Sequence, residues 1–122
     1  MMEFARITKE HDAALAALIR TSLKAHRLDI PGTAYYDKGL DHLSDVYDHP
    51  NCAYFVLLED GHLVGGIGLA PINLFPECCE LQKLYLDDSV KGRGLGYQMI
   101  EMVEQEARTL GYKRINLETH TI

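Results

Sequence analysis

Along the 122 residues, apolar positions recur with two different periods, and the switches between them mark out the elements. Phe4-Ala5-Arg6-Ile7-Thr8 alternates apolar and polar, as a short half-buried strand does. Thr8 stands where a helix N-cap belongs. Leu15, Leu18, Ile19 and Leu23 then recur at helical spacing, with Arg20, Lys24 and Arg27 on the other side, until Pro31-Gly32. A shorter helix carrying Leu40, Leu43, Val46 and Tyr47 inward is predicted before Pro50-Asn51. Ala53 to Leu58 reads as a buried strand, Glu59-Asp60-Gly61-His62 as a turn, and Leu63 to Leu69 as the return of a hairpin. Gly65, Gly66 and Gly68 in that return strand predict that another backbone or a ligand passes close to it. Pro71 and Pro76 bracket a loop with Leu74 and Phe75 at its tip.

The run from Cys79 to Leu86 breaks its own parity, because Leu81 is odd whereas Leu84 and Leu86 are even. A strand with one buried face satisfies both only with an extra residue, so a β-bulge is expected near Gln82 and Lys83; a strand buried on both faces is the alternative. Farther on, Leu95, Met99, Met102, Val103, Ala107 and Leu110 form a helical stripe, Gly111 stands at C′, and Arg114 to Glu118 alternates again. The order β-α-α-β-β-β-α-β predicts a mixed α/β (α+β) fold, a mostly antiparallel sheet flanked by helices. Its one β-α-β crossover makes the last two strands parallel. With 122 residues and 47% hydrophobic content, one domain spanning 1–122 with one core is expected.

Composition then narrows the function classes. No apolar run approaches the roughly 20 residues that span a bilayer, and Met1 to Arg6 lacks a signal-peptide core, so a cytoplasmic protein without a membrane partner is expected. Twelve Lys and Arg against 18 Asp and Glu give a net charge of −6, with no basic face for a nucleic acid. Cys52, Cys78 and Cys79 form no C-x-x-C pair and the six histidines no H-E-x-x-H, so reduced thiols and no metal are expected.

Against that acidic background, Lys91-Gly92-Arg93-Gly94-Leu95-Gly96 stands out at a strand-to-helix turn. Alternating glycines leave the backbone bare where the first helical N–H groups have no acceptor, and with the helix dipole they make an anion site. The spacing is not that of a P-loop, and a dinucleotide fingerprint belongs in a first βα turn. The third such pattern, [R/Q]-x-x-G-x-[G/A], is met with one departure, Lys91 in the first position.

On this loop, on Glu80-Leu81-Gln82-Lys83-Leu84-Tyr85-Leu86 before it and on Leu110 to Thr119 after it, the chain resembles the GNAT superfamily of acyl-CoA-dependent N-acetyltransferases. The resemblance implies acetyl-CoA as co-substrate, with its diphosphate on the N–H groups of Gly92, Arg93, Gly94, Leu95 and Gly96, with Lys91 and Arg93 nearby and Tyr97 among the residues that bind it. It also implies that the Leu84-Tyr85-Leu86 backbone, Leu84 and Leu86 foremost, pairs with the pantetheine arm in a gap between the bulged strand and the next parallel one. Acetyl would pass to a primary amine of a small molecule or protein, with Glu80 as the base, Glu118 as its rival, and the Leu84 N–H as oxyanion donor. None of Tyr85, Tyr97 and Tyr112 matches the position of the family's thiolate-protonating tyrosine. The family's last helix and closing strands are expected to be missing after Ile122, by truncation or, in a homodimer, completed through strand exchange. A non-catalytic acyl-CoA-binding or sensing module is the second function kept open.

Overall fold

The computed structural model describes residues 1–72 and 75–117, and its five strands form one sheet in sequence order. β1 (Met2–Arg6), β2 (Ala53–Glu59), β3 (His62–Ile72) and β4 (Phe75–Leu86) pair antiparallel in succession, and β5 (Arg114–Leu117) pairs parallel to β4. Three α-helices, α1 (Asp12–Ala25), α2 (Leu43–Val46) and α3 (Leu95–Thr109), complete the expected order, with one 3-10 turn before α1, two between α1 and α2, and one before α3.

The sheet separates two cores. Ala53, Phe55 and Leu57 of β2 face Met99, Val103 and Ala107 of α3, whereas Tyr54 and Val56 face Leu15, Ile19 and Leu23 of α1. A strand buried on both faces is why Ala53 to Leu58 shows no polar alternation. α3 closes as its glycine suggested: Gly111 N–H donates to Arg108 O at 3.0 Å and Tyr112 N–H to Ala107 O at 2.9 Å. α1 ends the same way with Arg27 in the left-handed position, φ +57°, where Leu28 N–H reaches Leu23 O at 2.7 Å.

Several expectations need correction. β1 begins two residues before Phe4, because pairing runs out to Met2 opposite Glu59 at the hairpin end; Ile7 N–H still donates to Tyr54 O at 2.9 Å beyond the strand. Thr8 caps a 3-10 turn, Lys9–His11, that leads into α1, and its N–H donates to His11 Nδ1 at 3.0 Å. Val46 is 43% exposed while Leu40, Leu43 and Tyr47 are buried. The 3-10 turn over Leu40–His42 resets the angular phase, so a 3.6-residue period cannot be carried across it. β3 and β4 consume most of the loop expected between Pro71 and Pro76, and Leu74 lies outside the described residues. Buried Asp12 joins α1 to α2 by accepting from Ser44 N–H at 2.9 Å and Ser44 Oγ at 2.6 Å.

Candidate functional site

The bulge falls where the parity break placed it. Gly66 pairs with Tyr85 and Gly68 with Gln82, so two steps along β3 match three along β4, and Lys83 takes φ +50°. Leu81 before the bulge and Leu84 and Leu86 after it all pack on the α3 side, whereas Tyr85 is buried on the α1 side. The extra residue is what lets odd and even leucines share a face.

The bulge also ends a ladder. β4 pairs with β5 from Cys78 opposite Arg114 to Leu81 opposite Leu117, and Gln82 to Leu86 continue with no β5 partner among the described residues. Asp87 N–H donates to Val64 O at 2.7 Å, toward β3. Strand alternation therefore points the N–H and C=O of Leu86, and of Leu84 two residues back, toward the opposite, open edge.

Just past β4 the chain makes a 3-10 turn, Asp88–Val90, capped by Asp87, whose Oδ1 accepts Ser89 N–H at 2.9 Å. That bond holds the Asp87 carboxyl below the usual carboxylate range. Gly92 and Gly94 follow at φ +83° and +73°, conformations that side chains rarely adopt, and Gly94 is the N-cap of α3. A Cβ at either would meet nothing within 4 Å. The first acceptor in the helix is Gly94 O, taken by Gln98 N–H at 3.3 Å, so the N–H groups of Leu95, Gly96 and Tyr97 precede the ladder. They border a groove of about 420 Å³ lined by Leu86, Lys91, Gly92, Gly94, Leu95, Gly96, Tyr97 and Ile100. The strand end and the bare turn thus converge on one cleft.

The structure brings some of the sequence-chosen residues together and leaves others apart. Leu86, Lys91, Gly92, Gly94, Leu95, Gly96 and Tyr97 share the groove. The Tyr85 ring does not line it, being buried against α1 with its backbone opposite Gly66. Lys91 Nζ pairs with Asp88 at 2.9 Å, and Arg93 with Glu59 at 2.8 Å and Ser89 O at 3.3 Å, so each cation has a carboxylate at hand. Glu80 is half-buried between Ala70 of β3 and Asn116 of β5 and accepts weakly from Gln82 Nε2 at 3.4 Å. Gln82 in turn accepts from the Tyr47 hydroxyl at 2.8 Å, which places Glu80 and Gln82 on the face that carries α1 and α2. Glu118 lies outside the described residues.

What crowds the glycines of β3 was not foreseen. It is neither backbone nor ligand at two of the three positions: a Cβ at Gly66 would lie 2.5 Å from Tyr54 Oη, and one at Gly68 2.6 Å from Tyr54 Cδ2 and 3.0 Å from Tyr47 Cε1. At Gly65 the neighbours are the Leu86 side chain and the Tyr85 carbonyl. The two-residue spacing of Gly66 and Gly68 was the available signal, since it puts both on one face under one flat object. Cys52, Cys78 and Cys79 are free, and burial raises the Cys52 and Cys79 thiol pKa values.

The sequence model of the Acetyltransferase (GNAT) family matches residues 16–121. This chain belongs to the GNAT acetyltransferase family. It is 37% identical over 116 residues to an Escherichia coli K12 protein named as the uncharacterized N-acetyltransferase YjgM, covering 93% of this chain and 70% of that one. Solved GNAT folds superpose closely. A GNAT acetyltransferase of Staphylococcus aureus Mu50 has TM-score 0.82 at 16% identity, covering 98% of this chain and 74% of that one. A Thermoplasma acidophilum PaiA N-acetyltransferase, solved with coenzyme A, has TM-score 0.76 at 18% identity, covering 98% and 80%. A Clostridium acetobutylicum acetyltransferase, solved with acetyl-CoA, has TM-score 0.76 at 16% identity, covering 99% and 82%. Among the described residues of this GNAT chain, no helix is long and apolar enough to cross a membrane, and no cluster of three or more His, Cys, Asp or Glu is placed to hold a metal.

Proposed function

We propose that this GNAT protein transfers the acetyl group of acetyl-CoA to a primary amine of a small molecule or protein. The observation that carries the reading is the meeting of the open β4 edge with the bare N-terminus of α3 in one groove. The donors there suit a diphosphate: the N–H groups of Leu95, Gly96 and Tyr97 precede the helical ladder after a turn with two left-handed glycines, and the helix dipole adds to their pull. Lys91 and Arg93, which lie against the dipole's positive end, exchange Asp88 and Glu59 for phosphate oxygens when the diphosphate binds. Leu84 and Leu86 offer an extended amide arm the hydrogen bonds of an added strand, as in β-augmentation.

The thioester supplies an acyl carbon activated by a good leaving group. Glu80 takes one proton of the acceptor ammonium so that the nitrogen lone pair can attack; the C–N bond forms, the Leu84 N–H supports the developing oxyanion, and the C–S bond breaks to release the coenzyme A thiolate, which takes the second proton of that nitrogen through solvent and leaves as the thiol. Glu118 is the second carboxylate proposed for the base role. The relatives solved with acetyl-CoA or coenzyme A support the choice of co-substrate by analogy of fold.

The test is thermal stabilisation of the protein by acetyl-CoA, with dephospho- and desulfo-coenzyme A alongside, followed by thiol release with a panel of primary amines. Ligand at a hundred times its Kd stabilises by about 2.7 kcal/mol. No stabilisation by acetyl-CoA or either analogue at millimolar concentration refutes the reading.

A further inference from the structure

We propose that the Tyr54 hydroxyl is a positioning group for the co-substrate: by holding the Lys83 carbonyl it aims the Leu84 N–H at the thioester half of coenzyme A. The inference rests on the coenzyme A reading above. Tyr54 stands in the middle of β2, only 1% exposed, where a phenylalanine would satisfy packing at no polar cost. Its ring instead crosses β3 over Gly66 and Gly68, and its hydroxyl donates to Lys83 O on β4 at 2.8 Å. Two positions of β3 are thus kept free of side chains so that a hydroxyl on β2 can reach the bulge two strands away. Burial, with Tyr47 and Tyr85 adding to it, lifts the Tyr54 phenol well above its ordinary pKa, so it remains a donor at working pH.

The bulge needs that hold. Lys83 sits at φ +50°, a conformation that costs a residue with a Cβ free energy relative to the right-handed regions. The Lys83 carbonyl and the Leu84 N–H belong to one planar trans peptide and point in opposite directions. Fixing the first toward Tyr54 therefore fixes the second away from it. Two more bonds brace the same turn: Tyr47, its ring 5.1 Å from that of Tyr54, donates to Gln82 Oε1 at 2.8 Å, and Lys83 Nζ pairs with Asp37 at 3.1 Å. A donor fixed before the ligand arrives costs less ordering on binding, which is where the affinity comes from.

Calorimetry on native protein, Tyr54→Phe and Gly66→Ala tests it, with two ligands, acetyl-CoA and 3′-phosphoadenosine 5′-diphosphate, the half that reaches only the glycine turn. Tyr54→Phe keeps the ring and loses the hydroxyl. Gly66→Ala keeps the hydroxyl but sets a methyl carbon 2.5 Å from it. Both variants are expected to bind acetyl-CoA about tenfold more weakly, the worth of about one hydrogen bond, and the nucleotide within twofold of native. The inference is overturned if acetyl-CoA affinity holds in Tyr54→Phe, or if both ligands weaken together, which would mark a role in the fold alone. Native protein that binds neither ligand refutes the coenzyme A reading itself, and this inference with it.

Discussion

Alanine at Gly94 and, separately, at Gly96 separates what the glycine turn does for folding from what it does for the ligand. At Gly94 the backbone is at φ +73°, and a methyl group would touch nothing within 4 Å. The cost is therefore strain alone, about 1–2 kcal/mol for a left-handed L-residue, offset by about 0.4–1 kcal/mol from the stiffer unfolded chain. The net is a loss of about 1 kcal/mol, or roughly 3–5 °C in melting temperature for a chain of this size. Gly96 lies inside α3 with ordinary helical φ, and its added methyl would meet only Leu86 Cδ1 at 3.9 Å. There alanine gains about 0.5–1 kcal/mol from helix propensity and unfolded-chain entropy. The two variants should shift the melting temperature in opposite directions. Binding should not follow stability: the Gly96→Ala methyl narrows the groove between Leu86 and the helix start, so acetyl-CoA should bind at least tenfold more weakly to the more stable protein. Differential scanning calorimetry and titration calorimetry read both quantities. A Gly94→Ala protein as stable as native, or a Gly96→Ala protein that binds acetyl-CoA at native affinity, refutes the reasoning.

Other expectations are more local. Glu80→Gln should lower kcat with an amine acceptor by about 10²–10⁴-fold and leave the KM for acetyl-CoA within twofold; an unchanged kcat transfers the base role elsewhere. Arg27→Gly, at φ +57° after α1, should raise stability by up to about 1 kcal/mol in chemical denaturation, because glycine takes that conformation without a Cβ penalty. Asp87→Ala should cost about 1 kcal/mol at neutral pH by uncapping the turn before the glycines. Because its folded carboxyl titrates below the ordinary range, that difference should be full above about pH 4 and shrink as pH falls through the lowered value. Melting curves of both proteins from pH 7 to pH 3 check the sign.

How much the sequence determined can be read from particular positions. The parity break between Leu81 and the pair Leu84 and Leu86 pointed to an extra residue, and the bulge stands at Lys83. Gly111 and the α3 stripe, the hairpin turn at Asp60-Gly61, and the glycine turn before Leu95 were legible for the same reason. Each is a local rule of backbone geometry or of a repeating face, written within a few residues. Val46 escaped because the period changes within the segment, and Thr8 because a 3-10 turn intervenes before α1.

Only the tertiary structure decided what sits over Gly66 and Gly68, which carboxylates accompany Lys91 and Arg93, and that the Tyr85 ring faces α1. Tyr54 reaches Lys83 across 29 positions of chain, and Arg93 reaches Glu59 across 34. Such partners are chosen by strand order and register, which bring distant segments within hydrogen-bond range and leave no periodic trace at either end. Local chemistry made the elements and the glycine turn readable from the chain alone; the alignment of those elements in one sheet determined what each of them faces.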